Sequence, residues 1–438
     1  MSSNVIKISA LVPGGYGLGR LEGKVIFVPG TLRDEVVEIE VIESKPQHSL
    51  AQLIKVIEPS PQRVSPRCPV FGQCGGCQWQ HIDSTFQHLI KKDLLIDALT
   101  RIGKLNLPEE INLTPAASPW HYRHRLRLQV RGQGRQRRWG FFGPRSHVLI
   151  PITDCWLANS LVNQIIQQVS QCLPDLPGDD NLKEIEIVSS PEEGQGVVLC
   201  RFTPGARPGN KSAWAGIADA CPKVKALIVT TGDQVMIVPG READLRYTFY
   251  VANHQTKKDL TYQLPPGVFT QSNLGMNQAL INLVVKLARP RPGDIVWDLF
   301  CGAGNFSLPL ALTAGQLTGV ESSSAAIQNA DYNAGINGIN NCRFLVSRVD
   351  RFLAGLRQRT GRPTIVVLDP PREGASGLGH QMEKIRPDRI IYVSCNPATL
   401  ARDAAHLHKA GYRLARLEVV DMFPQTHHVE TIALFEPV

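Results

Sequence analysis

Apolar and polar residues alternate over the first 58 positions of the chain, which is the period of a half-buried β-strand. The alternating segments are short, and turn residues separate them. The glycine-rich residues 14–19 are predicted to form the turn between the first two segments. Short strands at this density predict a small β-barrel. The predicted strands cover residues 5–12, 24–28, 35–42 and 51–57.

The pattern then becomes helical over residues 84–102. Residues 120–250 favour strands, with one helix after Trp156. From about residue 277, strands alternate with helices, which is typical of a doubly wound parallel sheet. The apolar positions of the first helix are Leu89, Leu94, Leu95, Ala98, Leu99 and Ile102.

These patterns predict an α/β protein of three domains. An OB-like barrel spans residues 1–58, a β-rich central domain spans 59–265, and a Rossmann-like domain spans 266–438. The helix over 84–102 falls in the central domain by position, but it is a candidate to pack on the third domain.

Charge adds a possible partner to this picture. The chain has 47 Lys and Arg against 39 Asp and Glu, a net charge of +8, which leans toward an anionic partner. No acidic residue lies between Glu110 and Asp154, a stretch that contains eight arginines. On a strand, Arg123, Arg125 and Arg127 would share one face and suit phosphate contacts, unless they form an ordinary solvated face. Trp120, Tyr122 and Trp139 are nearby candidates to stack on RNA bases.

The N-terminus lacks the apolar core of a signal peptide, and no apolar run reaches the ~18 residues that a membrane helix requires. Ten cysteines without such a signal indicate reduced thiols rather than disulfides. We therefore expect a cytoplasmic protein, monomeric and without a membrane partner.

Four of these cysteines have the spacing of a metal site: Cys68, Cys74 and Cys77 are close together, and Cys155 lies far downstream. Four thiolates can hold zinc or a [4Fe–4S] cluster, and the spacing does not separate the two. Unliganded structural thiols are the third possibility.

The run D-L-F-C-G-A-G-N at residues 298–305 is a predicted strand entering a glycine-rich turn. The next predicted strand ends at Glu321, whose carboxylate can accept hydrogen bonds from ribose hydroxyls. A dinucleotide site would have a third glycine where this chain has Ser307. The run instead resembles the first motif of class I S-adenosylmethionine-dependent methyltransferases.

Two further strand ends carry reactive side chains, in Asp369-Pro370-Pro371-Arg372 and in Ser394-Cys395-Asn396-Pro397. In an open parallel sheet the carboxyl ends of strands line the ligand crevice. Amine methyltransferases usually have an aromatic residue after D-P-P, and cytosine-C5 enzymes have a cysteine where Pro371 stands, so both are disfavoured.

Methylation at C5 of uracil requires a nucleophile and a base. A thiolate that adds at C6 makes C5 nucleophilic, and a base must then remove the C5 proton. Cys395 is the candidate nucleophile and Glu430 the candidate base. Without the combined pattern, Cys395 would be a structural thiol and Glu430 a solvated carboxylate.

The motifs at 369–372, 393–403 and 427–431, with Phe269-Thr270-Gln271-Ser272-Asn273, resemble the RNA uracil-5-methyltransferase family. Residues 1–58 resemble the TRAM domain, an RNA-binding barrel of its ribosomal RNA branch. The resemblance implies Cys395 as nucleophile, Glu430 as base, Phe269 near the flipped uracil, and a [4Fe–4S] cluster on Cys68, Cys74, Cys77 and Cys155. It also implies contacts to S-adenosylmethionine from Gln271, Phe300, Gly302, Gly304, Asn305, Glu321 and Asp369.

Three functions follow from these expectations. The first is methylation of uridine C5 in 23S ribosomal RNA, and the second is the same chemistry on transfer RNA. Family relatives of the second kind typically lack both the barrel and the cysteine cluster. The third is a non-catalytic, iron–sulfur RNA-binding or ribosome assembly protein, which the intact set of Cys395, Asp369 and Glu430 disfavours.

Overall fold

The computed structural model describes residues 4–178, 181–238, 243–252, 256–355 and 362–438. Its N-terminal part is a closed barrel of five strands in the order β1-β2-β3-β5-β4. Ile6, Ile8 and Ile26 are among the apolar residues that fill the barrel. The strands are β1 (Asn4–Val12), β2 (Tyr16–Leu21), β3 (Lys24–Pro29), β4 (Val36–Ser44) and β5 (His48–Glu58).

Strand β2 occupies most of the segment that the glycine pattern predicted to be a turn. Only Gly14 and Gly15 have the positive φ of turn glycines, +92° and +81°. A Cβ on Gly17 would lie 2.0 Å from Oγ1 of Thr31, and a Cβ on Gly19 would lie 2.8 Å from Cδ1 of Ile6. The turn prediction was therefore wrong for residues 16–19, where glycine leaves room for neighbouring side chains inside a narrow barrel.

The next helix and strand are α1 (Ser84–Arg101) and β6 (Ile111–Thr114). A seven-stranded sheet follows, in the order β13-β12-β11-β10-β7-β8-β9, with helices α2 (Ser160–Cys172) and α3 (Lys211–Asp219). Its strands are β7 (Arg125–Arg131), β8 (Arg138–Phe142), β9 (Leu149–Pro151), β10 (Leu182–Ser190), β11 (Gln195–Phe202), β12 (Val224–Thr231) and β13 (Gln234–Val238).

A hairpin of β14 (Leu245–Ala252) and β15 (Lys257–Leu264) and helix α4 (Leu274–Ala288) lead into the last unit. There, strands and helices alternate as the hydrophobic pattern predicts. The remaining elements are β16 (Ile295–Leu299), α5 (Ser307–Ala311), β17 (Gln316–Glu321), α6 (Ser324–Ile336), β18 (Cys342–Val346), α7 (Val349–Ala354), β19 (Ile365–Leu368), α8 (Leu378–Ile385), β20 (Arg389–Ser394), α9 (Pro397–Lys409), β21 (Tyr412–Val420) and β22 (Glu430–Pro437).

These strands form an eight-stranded sheet in the order β18-β17-β16-β19-β20-β22-β21-β6. Strands β16 to β20 run parallel, and β22 is antiparallel to both of its neighbours. All four residues of β19 are buried, as expected for a central strand covered on both faces. The predicted α/β fold with a Rossmann-like sheet and an N-terminal barrel is confirmed.

Two elements from the predicted central domain, 59–265, join the C-terminal unit instead: β6 extends its sheet and α1 packs on it. Strand β6 pairs in parallel with β21, so it forms the sheet edge. Leu95 and Leu99 of α1 share a buried cluster with Leu400 and Ala401 of α9. The helix predicted over 84–102 is thus present as α1, and Leu95 and Leu99 pack on the C-terminal unit, while Ile90 and Leu94 share a second buried cluster with Leu32. Among the described helices, none is both long and apolar enough to cross a membrane.

Candidate active site

The carboxyl ends of β16, β17, β19 and β20 meet along one edge of the eight-stranded sheet, because these strands are parallel. This edge brings together the predicted glycine-rich turn, Glu321, Asp369 and Cys395. Ser394 pairs with Thr431 across β20 and β22, so Cys395 follows one strand where Glu430 begins its neighbour. Residues far apart in sequence therefore form one site.

The turn after β16 has an unusual backbone. Phe300 has φ +67°, a left-handed conformation that is costly for a non-glycine residue, and its N–H donates to Val320 O at 2.9 Å. Gly302 has φ +52°, and a Cβ built there meets no atom within 4 Å. Glycine adopts this backbone conformation without strain, and the space in front of Gly302 is open.

Two side chains at the crevice are held in place by neighbours. Asn305 and Asn277 exchange reciprocal amide hydrogen bonds of 2.9 Å, which fixes the orientation of Asn305. Oε1 of Glu321 accepts from the backbone N–H of Ser322 at 2.6 Å and of Ser323 at 2.9 Å. Both predicted donor-binding residues are thus oriented before any ligand is bound.

A buried carboxyl lies below this turn. Asp298 is fully buried and accepts a 2.5 Å hydrogen bond from the Ser307 hydroxyl. Burial raises the pKa of Asp298 to about 7. Burial, and then the negative charge of Asp298, also raise the pKa of Asp369 to about 7. Ser307, which argued against a dinucleotide motif, supports the turn from beneath.

The thiol and the carboxyl of the predicted catalytic pair both have raised pKa values. Burial, followed by the charge of Glu430, raises the pKa of Cys395 to about 11. Burial, followed by the charge of Asp369, raises the pKa of Glu430 well above its ordinary value. The Arg372 guanidinium opposes both shifts. In the absence of substrate the environment of the pair therefore disfavours the ionised form of each group.

Sequence reasoning assigned no role to Arg372, His427 or His428, although all three stand in quoted motifs. The rings of His427 and His428 lie 4.3 Å apart. Burial, and then the charge of His427, lower the pKa of His428 to about 3, so this ring is neutral. The signal that could have identified them was their position next to the proposed base and after D-P-P.

The segment that precedes the methyltransferase core is held by His124, which is buried. Its Nδ1 lies 3.0 Å from Ser272 O and its Nε2 lies 3.1 Å from the Thr270 hydroxyl. Phe269 has 72% of its surface exposed at the start of this segment, and Gln271 is half-buried within it. An exposed ring here is accessible to an incoming base.

The three arginines of the predicted phosphate row have different environments. Arg123 precedes β7 and lines the cysteine cavity. Arg125 forms an ion pair with the buried Glu186 and donates to Val268 O at 3.1 Å. Only the side chain of Arg127 is more than half exposed, at 55%, and its Nε lies 3.3 Å from Glu184. The guanidinium groups of Arg123 and Arg125 are therefore used within the protein rather than on a common surface.

The aromatic residues near that row are also mostly buried. The hydroxyl of Tyr122 donates to Pro424 O at 3.0 Å, and Trp139 is buried. Trp120 remains half-buried against Trp156, with 6.0 Å between ring centroids. Of the predicted stacking residues, only Trp120 is placed to meet an external base.

Cys68, Cys74, Cys77 and Cys155 line one cavity of about 50 Å³, together with Arg123 and apolar side chains. The backbone N–H of Gly76 donates to Sγ of Cys74 at 3.4 Å. Within the part of the chain that the structure describes, no group of three or more His, Cys, Asp or Glu side chains is close enough to hold a single metal ion. The four predicted ligands therefore share one cavity but are not close enough together to hold a single metal ion.

Comparison with known proteins extends these observations. A model of the tRNA (Uracil-5-)-methyltransferase family matches residues 109–437, and a TRAM domain model matches residues 5–54. The 23S rRNA (uracil(1939)-C(5))-methyltransferase RlmD of Klebsiella pneumoniae is 35% identical, with 98% of this chain and 95% of that protein covered. The enzyme of the same name from Aromatoleum aromaticum is 36% identical, with 99% of each covered.

One solved structure has the same fold over nearly the whole chain. It is the Pyrococcus abyssi tRNA (uracil-54, C5)-methyltransferase in complex with S-adenosyl-L-homocysteine, with a TM-score of 0.73 and 22% identity. The alignment covers 98% of this chain and 100% of that one. With a matching family model over most of its length, a TRAM barrel and two full-length relatives, this chain belongs to the RNA uracil-5-methyltransferase family.

Proposed function

We propose that this chain methylates C5 of a uridine in 23S ribosomal RNA, with Cys395 as nucleophile and Glu430 as base. The observation that supports this most strongly is the juxtaposition of Cys395 and Glu430 at the ends of adjacent strands, beside Asp369. Action on ribosomal RNA would take place in the cytoplasm.

The donor crevice suits S-adenosylmethionine, which supplies an electrophilic methyl group when bound. The fit rests on the open face at Gly302 and on the pre-oriented side chains of Asn305 and Glu321. The ligand carries no phosphate, in keeping with a turn that lacks the third glycine of a dinucleotide site. We assign its contacts to Gln271, Phe300, Gly302, Gly304, Asn305, Glu321 and Asp369.

The chemistry of the protein side chains follows from their environments. Cys395 loses its proton to solvent and its sulfur bonds to C6 of uracil, which makes C5 nucleophilic. After methylation at C5, the ionised carboxylate of Glu430 accepts the C5 proton, the C6–S bond breaks, and the thiolate leaves. A carboxylate whose pKa is raised by burial is a stronger base than one in water, so the burial of Glu430 suits proton removal.

RNA recognition is assigned to exposed residues. Phe269 would stack on the flipped uracil, since it is largely exposed beside the segment that carries Gln271. Arg127 is the arginine of the original row whose charge remains accessible to phosphate. Ribosomal RNA is favoured over transfer RNA because the chain aligns end to end with relatives named for 23S rRNA and has a TRAM barrel.

We further propose that Cys68, Cys74, Cys77 and Cys155 hold a [4Fe–4S] cluster. Four thiolates converging on one cavity suit such a cluster, and the guanidinium of Arg123 would offset part of its negative charge. The cavity walls include Phe71, Leu126 and Phe141, which would shield the cluster from water. All four ligands come from the protein, so the role assigned to the cluster is structural.

Replacement of the proposed nucleophile tests the reaction. We expect Cys395→Ala to form no 5-methyluridine in a 23S rRNA fragment, because no thiolate can add to C6. Binding of S-adenosylmethionine, measured by calorimetry, should remain close to that of the unaltered protein. Cys342→Ala, a change of another half-buried thiol, is the control and should retain activity. Normal turnover by Cys395→Ala would refute the mechanism.

Iron analysis tests the cluster. Anaerobically purified protein should contain about four irons per chain and absorb visible light as iron–sulfur proteins do. Cys155→Ser should lose iron and RNA affinity before it loses binding of S-adenosylmethionine, whereas Cys172→Ser should retain both iron and RNA affinity. One zinc per chain with no iron would contradict the assignment.

A further inference from the structure

Helix α1 carries a lysine that the mechanism above does not use. Lys91 is fully buried, with a side-chain exposure of 0%. A buried ammonium group is costly unless charge and hydrogen-bond partners compensate it. Its Nζ donates to Oδ1 of Asp421 at 2.6 Å and to the backbone O of Phe423 at 2.9 Å.

Both partners of Lys91 lie in residues 421–429, the loop that joins β21 to β22 and ends immediately before Glu430. The second carboxylate oxygen of Asp421 is also used, because Nε2 of His88 lies 2.9 Å from it. Lys91 and His88 are one helical turn apart on α1, so the helix presents two groups to the two oxygens of one carboxylate.

A second set of contacts holds the middle of the same loop. Gln87 accepts from the backbone N–H of Gln425 at 3.0 Å and donates to its side-chain oxygen at 3.1 Å. The backbone N–H groups of Gln78 and Trp79 donate to Gln425 O at 3.2 and 3.1 Å. Gln425 has φ +67°, a conformation that is unfavourable for a non-glycine residue without such contacts.

The last contact reaches the histidine pair next to the base. Oε1 of Gln78 lies 3.2 Å from Nδ1 of His427, three residues before Glu430. Four alternate residues of the loop are thus hydrogen-bonded to the segment 78–91: Asp421, Phe423, Gln425 and His427. This segment lies outside the two strands that the loop joins. We call these contacting residues the α1 anchor: Gln87, His88 and Lys91 on α1, and Gln78 in the segment just before it.

We propose that the α1 anchor positions Glu430 for removal of the C5 proton, with Lys91 and His88 as positioning residues that do not touch the RNA. This inference rests on the proposed function, because it takes Glu430 to be the base. If the loop moves, addition of Cys395 and methylation can still occur, but the methylated base stays bound to the sulfur until the proton leaves.

The test measures covalent protein–RNA adduct on a denaturing gel, together with kcat and KM for an unmodified 23S rRNA fragment. We expect Lys91→Met to accumulate adduct and to lower kcat by about a hundredfold, the effect of a ~1 Å misplacement of a reacting group. KM for RNA should change little. Lys92→Met, a change of the adjacent lysine on the same helix, is the matched control and should show neither effect.

A pair of milder variants covers the case in which Lys91→Met fails to fold. His88 is partly exposed, so substitution there is tolerated more easily. His88→Leu removes the bond to Asp421 and should accumulate adduct, whereas His88→Gln retains a donor near the Nε2 position and should restore turnover. If His88 only stabilised the fold, neither variant would accumulate adduct, and the two variants would not differ in kcat.

Glu430→Gln is the reference arm, since it removes the proposed base directly. If Glu430→Gln accumulates adduct but the Lys91 and His88 variants behave like Lys92→Met, the anchor proposal is overturned and the function stands. If Glu430→Gln forms no adduct and still turns over, the base assignment fails, and the anchor proposal fails with it.

Discussion

Asp369 is half-buried and Glu430 is buried, both at the same edge of the sheet, and the folded protein favours their protonated forms. A raised pKa in the folded state means that the protein gains stability where the group is protonated and loses it where the group must ionise. Both groups therefore lower the free energy of unfolding at neutral and alkaline pH. Active sites that keep ionisable groups away from water commonly lower the stability of the folded protein in favour of activity.

The pKa of Asp369 gives the pH range of this effect. Its ordinary value is 3.8 and burial raises it to about 7, so the stabilisation is complete below pH 4 and is lost as the pH rises through 7. We expect Asp369→Asn, without ligand, to raise the free energy of unfolding by up to about 4 kcal/mol at pH 8, since each of the roughly three pKa units corresponds to about 1.4 kcal/mol.

Thermal unfolding at several pH values checks this expectation. The difference between Asp369→Asn and the unaltered protein should shrink steadily from pH 8 to pH 5. Asp93→Asn, a change of an exposed residue of α1, serves as the control and should show no pH-dependent difference. If Asp369→Asn were destabilised equally at pH 8 and pH 5, burial of an ionisable carboxyl would not be the cause of the difference.

Single residues were predictable from sequence where a motif required them, and not where a distant partner decided their environment. The motifs predicted Cys395 as nucleophile and Glu430 as base. Lys91 is different, because a lysine in an amphipathic helix is expected to face water. Its carboxylate partner lies 330 positions away, and no local pattern records that distance.

At the scale of elements, the hydrophobic pattern predicted helix α1 but assigned part of its buried face incorrectly. Leu89 and Ile102 were included among the apolar positions, yet they are 54% and 53% exposed, whereas Leu95 and Leu99 are buried against α9. Helical spacing identifies a stripe, but which residues of the stripe are covered depends on the partner element.

This difference yields a matched pair of variants on one helix. Leu95→Ala should lower the free energy of unfolding by about 2–5 kcal/mol, as expected for a large-to-small change in a packed core. Leu89→Ala should change it by less than about 0.5 kcal/mol, because the side chain is largely exposed. Hydrogen exchange should show faster exchange in β21 for Leu95→Ala only; equal effects of both variants would refute the docking of α1.

The sheet to which strand β6 belongs could not be predicted from the sequence. A four-residue strand, Ile111–Thr114, has too short a pattern for its partner to be read from sequence. Its pairing with β21 assigns it to a sheet whose other strands begin more than 180 residues later. The sequence therefore indicated the α/β class, the order of units and a candidate placement for α1, but not that β6 joins the C-terminal sheet.

At the scale of the whole molecule, the three units are not three successive stretches of chain. The barrel is formed from one continuous segment, whereas the catalytic sheet is completed by α1 and β6 from the N-terminal third. The loop before Glu430 is held by residues 78–91, and the hydroxyl of Tyr122 also donates to Pro424 in it. The proposed base is thus positioned by parts of the chain outside the Rossmann-like fold.

This arrangement sets an order for folding during synthesis. The ribosome releases the N-terminal segments first, so the barrel can close as soon as its five strands have emerged. Helix α1 and strand β6 emerge early, but their partners β21 and α9 belong to the last 50 residues. The part of α1 that carries Leu95 and Leu99 must therefore stay uncovered, or be covered by a chaperone, until these partners emerge. The site that contains Cys395 and Glu430 can assemble only after β22 has left the ribosome.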